Sequence, residues 1–414
     1  MNKITILAIL ITVSISSAFK APQHKTLRAL SMGNAFTAVA EDRNAIYTNP
    51  AGLNLLNKLG NYDKRPDLGY YPDNWYDMRM DLGLSLPDMT GLFQSSSRFY
   101  DDHGQTISKL GTDRTTALKN DSTLYNDAAF IDRLPISLGT ILNLELAMHN
   151  FGGAIWTDIT TQPFIDMGII LPSAGIQSVD ANLVAQVAGA LEITPYLNVG
   201  AGYKVMYTNH IGLKEIDASL LGSSSQLDSI ASATLDEQVT QFNNDVKNIA
   251  VSHGFDLGAQ YQFSRTMRAG VALLDIFPAG IRDQSVTPEL NVGVVLSPRK
   301  FQRNTAFARK VNFAFDLNDL LNDDKNYKFA SKINFGAEWE QVWLAIPSIK
   351  LGSNARAIAT RLAAGFKGGY WTLGTELELM RVLHLNLATW ADEQGYFTGQ
   401  EPERKFIMSF GLGF

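Results

Sequence analysis

What most limits the folds open to this chain is a two-residue alternation of apolar and polar side chains, repeated in segment after segment of about ten residues. The last segment shows it most clearly. Phe406, Met408, Phe410, Leu412 and Phe414 share one parity, and Ser409, Gly411 and Gly413 occupy the other. Successive side chains of a strand point to opposite faces, so this strand has one apolar face and is long enough, when tilted, to cross a bilayer. Upstream, Met78, Met80, Leu82, Leu84 and Leu86 oppose Arg79, Asp81, Gly83 and Ser85. Leu142, Leu144, Leu146 and Met148 oppose Asn143, Glu145, Ala147 and His149. Similar alternation runs through 197–208, 255–263, 332–339 and 371–379. One such segment could belong to a soluble sandwich, but a long series predicts an all-β, antiparallel transmembrane barrel.

The segments place about fourteen strands, near 78–86, 136–148, 153–161, 181–193, 196–208, 252–263, 267–276, 289–297, 310–317, 330–341, 360–367, 370–380, 382–391 and 405–414. Tight turns fall at Thr194-Pro195, at Ser264-Arg265-Thr266 and around Arg381. Long polar stretches fall at Pro87–Leu134, Thr161–Asp180, Asn209–Val251 and Ala391–Arg404. With an even strand count and the C-terminus in the periplasm, these turns lie inside and these loops outside, as such barrels require. One connection fits poorly. Val342–Ala359 would be a long periplasmic excursion, and Val342–Leu351 reads equally as further strand. In the Asn209–Val251 stretch, Leu235, Val239, Phe242, Val246 and Ile249 repeat at four-three-four-three spacing. That predicts an amphipathic helix, either a lid over the barrel mouth or an element packed on neighbouring loop.

The first residues read as a secretory leader. Lys3 supplies a positive n-region, Ile4 to Val13 an apolar h-region, and Ser16-Ser17-Ala18 the small residues before cleavage after Ala18. The apolar run is about half what a spanning helix needs. Mean hydropathy is −0.05, too polar for a helical membrane protein and suited to a barrel that hides its apolar half in alternation. There is no cysteine, which excludes disulfide staples and a lipid anchor on a cleavage-site Cys. A net charge of −6 without a basic stripe excludes a general nucleic-acid binder. The expected location is the bacterial outer membrane, and the expected division is 1–18 signal peptide, 19–77 plug and 78–414 barrel.

The stretch before the first strand contains Ser31-Met32-Gly33-Asn34-Ala35-Phe36-Thr37-Ala38-Val39-Ala40-Glu41-Asp42 and then Ala45-Ile46-Tyr47-Thr48-Asn49-Pro50-Ala51-Gly52-Leu53. Small residues suit tight packing, Pro50 ends any helix, and Asn49 and Gly52 bring turn chemistry. The run resembles the N-terminal plug of the FadL-like outer-membrane transporters, whose G-x-A…A…D…A…N-P-A-G-L pattern is met by Gly33, Ala35, Ala40, Asp42, Ala45, Asn49, Pro50, Ala51, Gly52 and Leu53. Tyr47 supplies the aromatic usual before Asn-Pro-Ala. The wider superfamily includes PorV-like and TraF-like barrels. The resemblance implies a plug filling a fourteen-stranded barrel, with Asn49-Pro50-Ala51 in the lumen coupling plug to wall. The closing strand likewise resembles the C-terminal signal of outer-membrane barrels, so Phe406, Met408, Phe410, Leu412 and Phe414 would be read by the barrel-assembly machinery.

Catalytic and metal patterns are absent from the sequence. His24, His103, His149, His210, His253 and His384 are scattered, without H-E-x-x-H spacing, a G-x-S-x-G elbow or a phosphate-binding glycine loop. No cofactor, metal or catalytic residue is expected, and the chain does not read as an enzyme. The inward parity carries Arg79, Lys204, Lys332, Arg361 and Lys367 against Asp81, Glu145, Asp256, Glu289, Glu338, Glu376 and Glu378. Opposite charges in a narrow lumen will pair with each other and with the plug. This acid-leaning mixture is not the basic pocket a fatty-acid carboxylate wants. By resemblance, the expected function is uptake of hydrophobic small molecules such as fatty acids or hydrocarbons, with outer-membrane lipids around the wall. The alternative is a PorV-like accessory barrel that binds an exported protein.

Overall fold

A sheet with one apolar face must pack on another layer or close on itself. Here it closes. The computed structural model describes residues 22, 24, 26–56, 76–87, 97–98, 101–106, 137–166, 173–212, 249–264, 266–276, 288–298, 309–322, 329–347, 354–380, 382–393 and 402–413. The wall strands are β1 (Tyr76–Pro87), β2 (Leu138–Met148), β3 (Phe151–Asp166), β4 (Ser173–Thr194), β5 (Leu197–Gly212), β6 (Ala250–Ser264) and β7 (Met267–Ile276). They continue as β8 (Glu289–Leu296), β9 (Arg309–Leu317), β10 (Ile333–Pro347), β11 (Asn354–Lys367), β12 (Tyr370–Leu379), β13 (Leu383–Glu393) and β14 (Pro402–Gly413). Each pairs antiparallel with its sequence neighbours, and β1 pairs with β14 to shut the ring, Leu82 facing Phe410 and Leu84 facing Met408.

Parity separates two environments. Along β2, buried and exposed positions alternate almost without fault. The outward set is apolar: Leu82 is 62% exposed, Ile155 52% and Phe410 50%. An apolar band of this extent is stable only against lipid. The inward set is charged and buried, with Asp256 and Asp316 wholly inaccessible and Arg79 and Glu145 nearly so. The chain is therefore an outer-membrane barrel.

Several strands run further than their alternation. β3 reaches Asp166 and β4 starts at Ser173, so most of Thr161–Asp180 is hairpin rather than loop. Pro163 is accommodated at a register shift after Gln162, where the ladder is already broken. At Val342–Ala359 the alternative of further strand is the one observed. β10 continues to Pro347 and β11 begins at Asn354, with shifts between Val342 and Leu344 and between Leu344 and Ala345. A tight hairpin also occurs at the opposite end from the expected turns, where Gly368 and Gly369 take φ of +56° and +99°, a backbone suited to glycine. The leader, Phe414 and the expected helix over 235–249, Ile249 apart, lie outside the described residues.

Inside the ring sits the N-terminal segment, with helix α1 (Leu27–Ser31), helix α2 (Ala45–Thr48) and the 3-10 helix Pro50–Leu55. Ala29, Met32, Phe36, Val39, Ile46 and Leu53 are buried against inward side chains that include Trp156, Val184, Ala188 and Met206.

Candidate functional site

The plug's backbone needs partners, because short helices and turns leave most of their amides and carbonyls unpaired. The wall supplies them. The carboxylate of Asp316 on β9 accepts from the amides of Phe36 and Thr37 at 2.8 and 2.7 Å. Arg268 on β7 donates to the carbonyls of Ala38 at 2.6 Å and Val39 at 3.3 Å. Gln260 on β6 donates to Ala40 at 2.9 Å, and Gln186 on β4 to Ile46 at 2.8 Å. Thr372 on β12 donates to the Ser31 carbonyl at 2.9 Å. These attachments encircle the plug.

Close approach needs wall positions without side chains. A Cβ on Gly336 would overlap the Met32 carbonyl, one on Gly270 would stand 2.5 Å from the Thr37 oxygen, and one on Gly365 2.6 Å from the Gly33 nitrogen. Gly200 and Gly258 lie in the same manner under Ala51 and Asn49. Gly33 itself has φ +64° and presses on the carbonyls of Phe366 and Phe335, so both its backbone and its neighbours exclude a side chain.

The remaining motif residues converge in the lumen. Asn49 is wholly buried. Its side-chain amide donates to Thr37 at 2.9 Å and lies over the β6–β7 seam, 3.2 Å from the Ala259 carbonyl and 3.4 Å from that of Val271. Its oxygen accepts from the Ala51 amide at 3.2 Å, capping the 3-10 helix that Pro50 opens. Gly52 packs under the Ala40 carbonyl beside Ala45, and Ala35 is buried. The Leu53 carbonyl accepts from Asn150 in the β2–β3 turn at 3.2 Å. Tyr47 stacks on His24 with centroids 3.8 Å apart and donates to Glu145 at 3.0 Å.

A chain of buried charges joins plug and wall. Arg28 on α1 holds Glu338 on β10 through two 2.6 Å bonds, grips Asp42 at 2.6 Å, and lies over the Phe36 ring. Glu338 also faces Arg361, which pairs with Glu376, and Glu376 meets Arg79 at 2.8 Å. On the other side, Arg43 pairs with Glu145 at 2.7 Å, and Lys204 sits between Asp256 and Asp275 at 3.1 and 2.8 Å. Glu41 gathers Lys310, Arg268 and Arg28. Burial pushes the Glu41 carboxyl up, but Lys310, Arg268 and Arg28 outweigh it and hold the group down at about 2. Burial also raises Asp42, and Arg28 and Arg43 bring it below the ordinary range. The Tyr47 phenol is pushed well up by burial and then by Glu145. Among the described residues, cavities of about 50 and 60 Å³ lie between plug and wall, edged by charged side chains of this chain of ions.

Of the lumen charges, Arg79, Lys204, Arg361, Lys367, Asp81, Glu145, Asp256, Glu338 and Glu376 pair with opposite charges of the wall or the plug, whereas Lys332 donates to the Leu320 and Asn322 carbonyls and Glu289 accepts from Asn291. Arg28, Glu41, Asp316, Arg268 and Gln260 were not singled out from the sequence. For the wall members the signal was inward parity on strands already recognised. Of the closing-strand residues, Phe406, Met408 and Phe410 face outward and exposed, while Leu412 is half-buried. Among the described residues no three His, Asp or Glu are grouped to hold a metal ion.

Comparison with known proteins gives fold likenesses only. No family model matches, and no curated protein matches. The solved Pseudomonas putida toluene transporter TodX aligns over 96% of this chain and 99% of its own, at 11% identity and a TM-score of 0.42. A bacterial polysaccharide outer membrane secretin aligns over 81% and 98%, at 9% identity and 0.34. CdiB from Acinetobacter baumannii aligns over 82% and 60%, at 6% identity and 0.33. The architecture rests on the strand pairing itself.

Proposed function

We propose that this chain is a gated outer-membrane channel for hydrophobic small molecules, of the FadL-like kind, with residues 26–56 as the gate. The observation that carries this reading is how the gate is held. Its backbone rests on wall glycines and is clamped by side chains reaching in from the strands, with Asn49 bridging plug and seam. Such contacts are many, individually modest and reversible. The cavities beside the plug, about 50 and 60 Å³, are far below the roughly 300 Å³ or more of a small-molecule pocket. On this reading, passage goes with displacement of the plug.

That same seal favours a second reading, an accessory barrel whose partner is an exported protein. A barrel of that kind needs a closed lumen and outer surface, and no path. Uptake into liposomes of a panel of alkanes, aromatics and fatty acids separates the two, comparing wild type, Asn49→Ala and a deletion of residues 31–53. A channel takes up at least one apolar class, does so at a changed rate with Asn49→Ala, and leaks small polar solutes after the deletion. Absence of uptake for every compound, alongside co-purification of an exported protein, selects the accessory barrel.

A further inference from the structure

The outer surface of the wall is indented between β9 and β1. The hollow holds about 820 Å³ and is lined by residues of seven strands, chiefly those of outward parity, a volume in the range of small-molecule sites. Strand register explains its shape. One row of cross-strand partners runs from Leu84 on β1 to Val311 on β9, and the next from Leu86 to Phe313. The floor is built from short side chains, Ala337 beside Ala364, with Thr375 near them. On the inner face beside this floor lie Gly336, Gly365 and Gly374, with plug residues Ser31 to Gly33 pressed on them. Small residues on both faces leave the wall thin here, where α1 packs on β11, β12 and β13.

Two adjacent rows span roughly 7 Å along the strands, and six strand spacings give roughly 29 Å of length. A helix with its side chains is about 10–12 Å across, so the hollow is too narrow for one and suits an extended hydrocarbon chain. Toward the end where long connections emerge, the border becomes aromatic, with Phe335 stacked on Phe366 at 4.7 Å. There Arg404 lies 3.6 Å over the Trp371 ring and donates to the Trp371 carbonyl and the Thr389 hydroxyl. Aromatics and a cation at that height meet the headgroups of the outer leaflet.

We propose that this hollow is a specific lipid site, which takes an acyl chain of an outer-leaflet lipid of net negative charge and sets its uncompensated phosphate against Arg404. Guanidinium matches phosphate in charge and geometry, and a flexible chain fills an apolar hollow that the bilayer would otherwise leave as a void. This inference is independent of the transport reading.

The test uses the full barrel in vesicles of phosphatidylcholine doped with acyl-brominated phosphatidylglycerol or acyl-brominated phosphatidylcholine. Trp339 lines the hollow, and the fluorescence lost in Trp339→Phe isolates its contribution. Folding of each variant is verified beforehand by its heat-dependent gel mobility. In wild type, quenching of Trp339 saturates at low bromolipid fraction and favours phosphatidylglycerol about fivefold, the effect of one cation near the headgroups. Ala364→Phe, or Ala337→Leu in its place, removes the saturating component. Arg404→Gln keeps it and loses the preference. Inorganic phosphate leaves it unchanged. Non-saturating quenching equal for both lipids, a component surviving both filled hollows, displacement by inorganic phosphate, or a second protein chain covering this face would each overturn the proposal.

Discussion

Glu41 is a small residue-scale example of how the lumen is held. Its carboxylate is buried, which alone would cost several kcal/mol, yet Lys310 on β9, Arg268 on β7 and Arg28 on α1 surround it. Its pKa falls from 4.5 to about 2. A carboxyl depressed in the folded state contributes stability that is present above its unfolded pKa and lost as pH falls through the folded one. The contribution is on the order of 3 kcal/mol, and it disappears between about pH 4.5 and pH 2. Asp42, also depressed through Arg28 and Arg43, acts in the same direction. Denaturant unfolding of the detergent-solubilised barrel, followed from pH 6 to pH 2, should show plug residues losing protection from hydrogen exchange over that window. Glu41→Gln should weaken the plug already at pH 6, because Arg268 and Lys310 lose their anion and Arg28 loses one of its three, and should flatten the acid dependence. An unchanged acid profile in Glu41→Gln would remove Glu41 from this role.

At the scale of the element, the wall strands are built to be approached. Gly200 faces the Pro50–Ala51 peptide so closely that a Cβ would come within 2.8 Å of the Pro50 carbonyl oxygen. Gly153 on β3 is a matched control, because a Cβ there meets nothing nearer than 3.7 Å. Gly200→Val should leave the barrel folded, cost about 1–3 kcal/mol as overpacking, and unseat the plug, seen as raised conductance in planar bilayers. Gly153→Val should conduct as wild type does. Equal conductance of the two variants would mean that the plug is not seated by these glycines. Strands such as β2 and β14 were legible in the sequence because lipid on one side and a polar lumen on the other impose a strict period of two. The ends of β3 and β4 were not legible. Outside the apolar band the two-residue alternation lapses, so residues 161–166 and 173–180 look like loop in the sequence although they pair as strand. The plug's anchors were hidden for another reason. Parity on β9 or β10 says that Asp316 and Glu338 point inward, but not at what height. Arg28 meets Glu338 across 310 residues of chain, a distance over which no local pattern carries information.

For the whole molecule, closure is the event that matters, since an open fourteen-stranded sheet would leave two unpaired edges in lipid. Both edges come from the sequence extremes of the barrel. β1 and β14 meet over nine register pairs, from Arg79–Gly413 to Pro87–Lys405, so the ring cannot shut until the last strand is in place. A signal carried by that strand would couple recognition by the assembly machinery to the availability of the closing edge. We accordingly expect Phe414→Asp to lower the amount of heat-modifiable barrel in the outer membrane severalfold while leaving export to the periplasm intact. The same variant refolded directly into detergent should keep a strand-dominated circular dichroism spectrum, because all nine β1–β14 pairs, from Arg79–Gly413 to Pro87–Lys405, keep their residues. Phe410→Asp should behave differently. Its side chain is 50% exposed on the outward face between Leu82 and Leu385, and a charge there faces hydrocarbon and destabilises the barrel itself, in detergent as well as in cells. Wild-type levels of folded barrel with Phe414→Asp would end the proposal that the terminal aromatic is read during assembly.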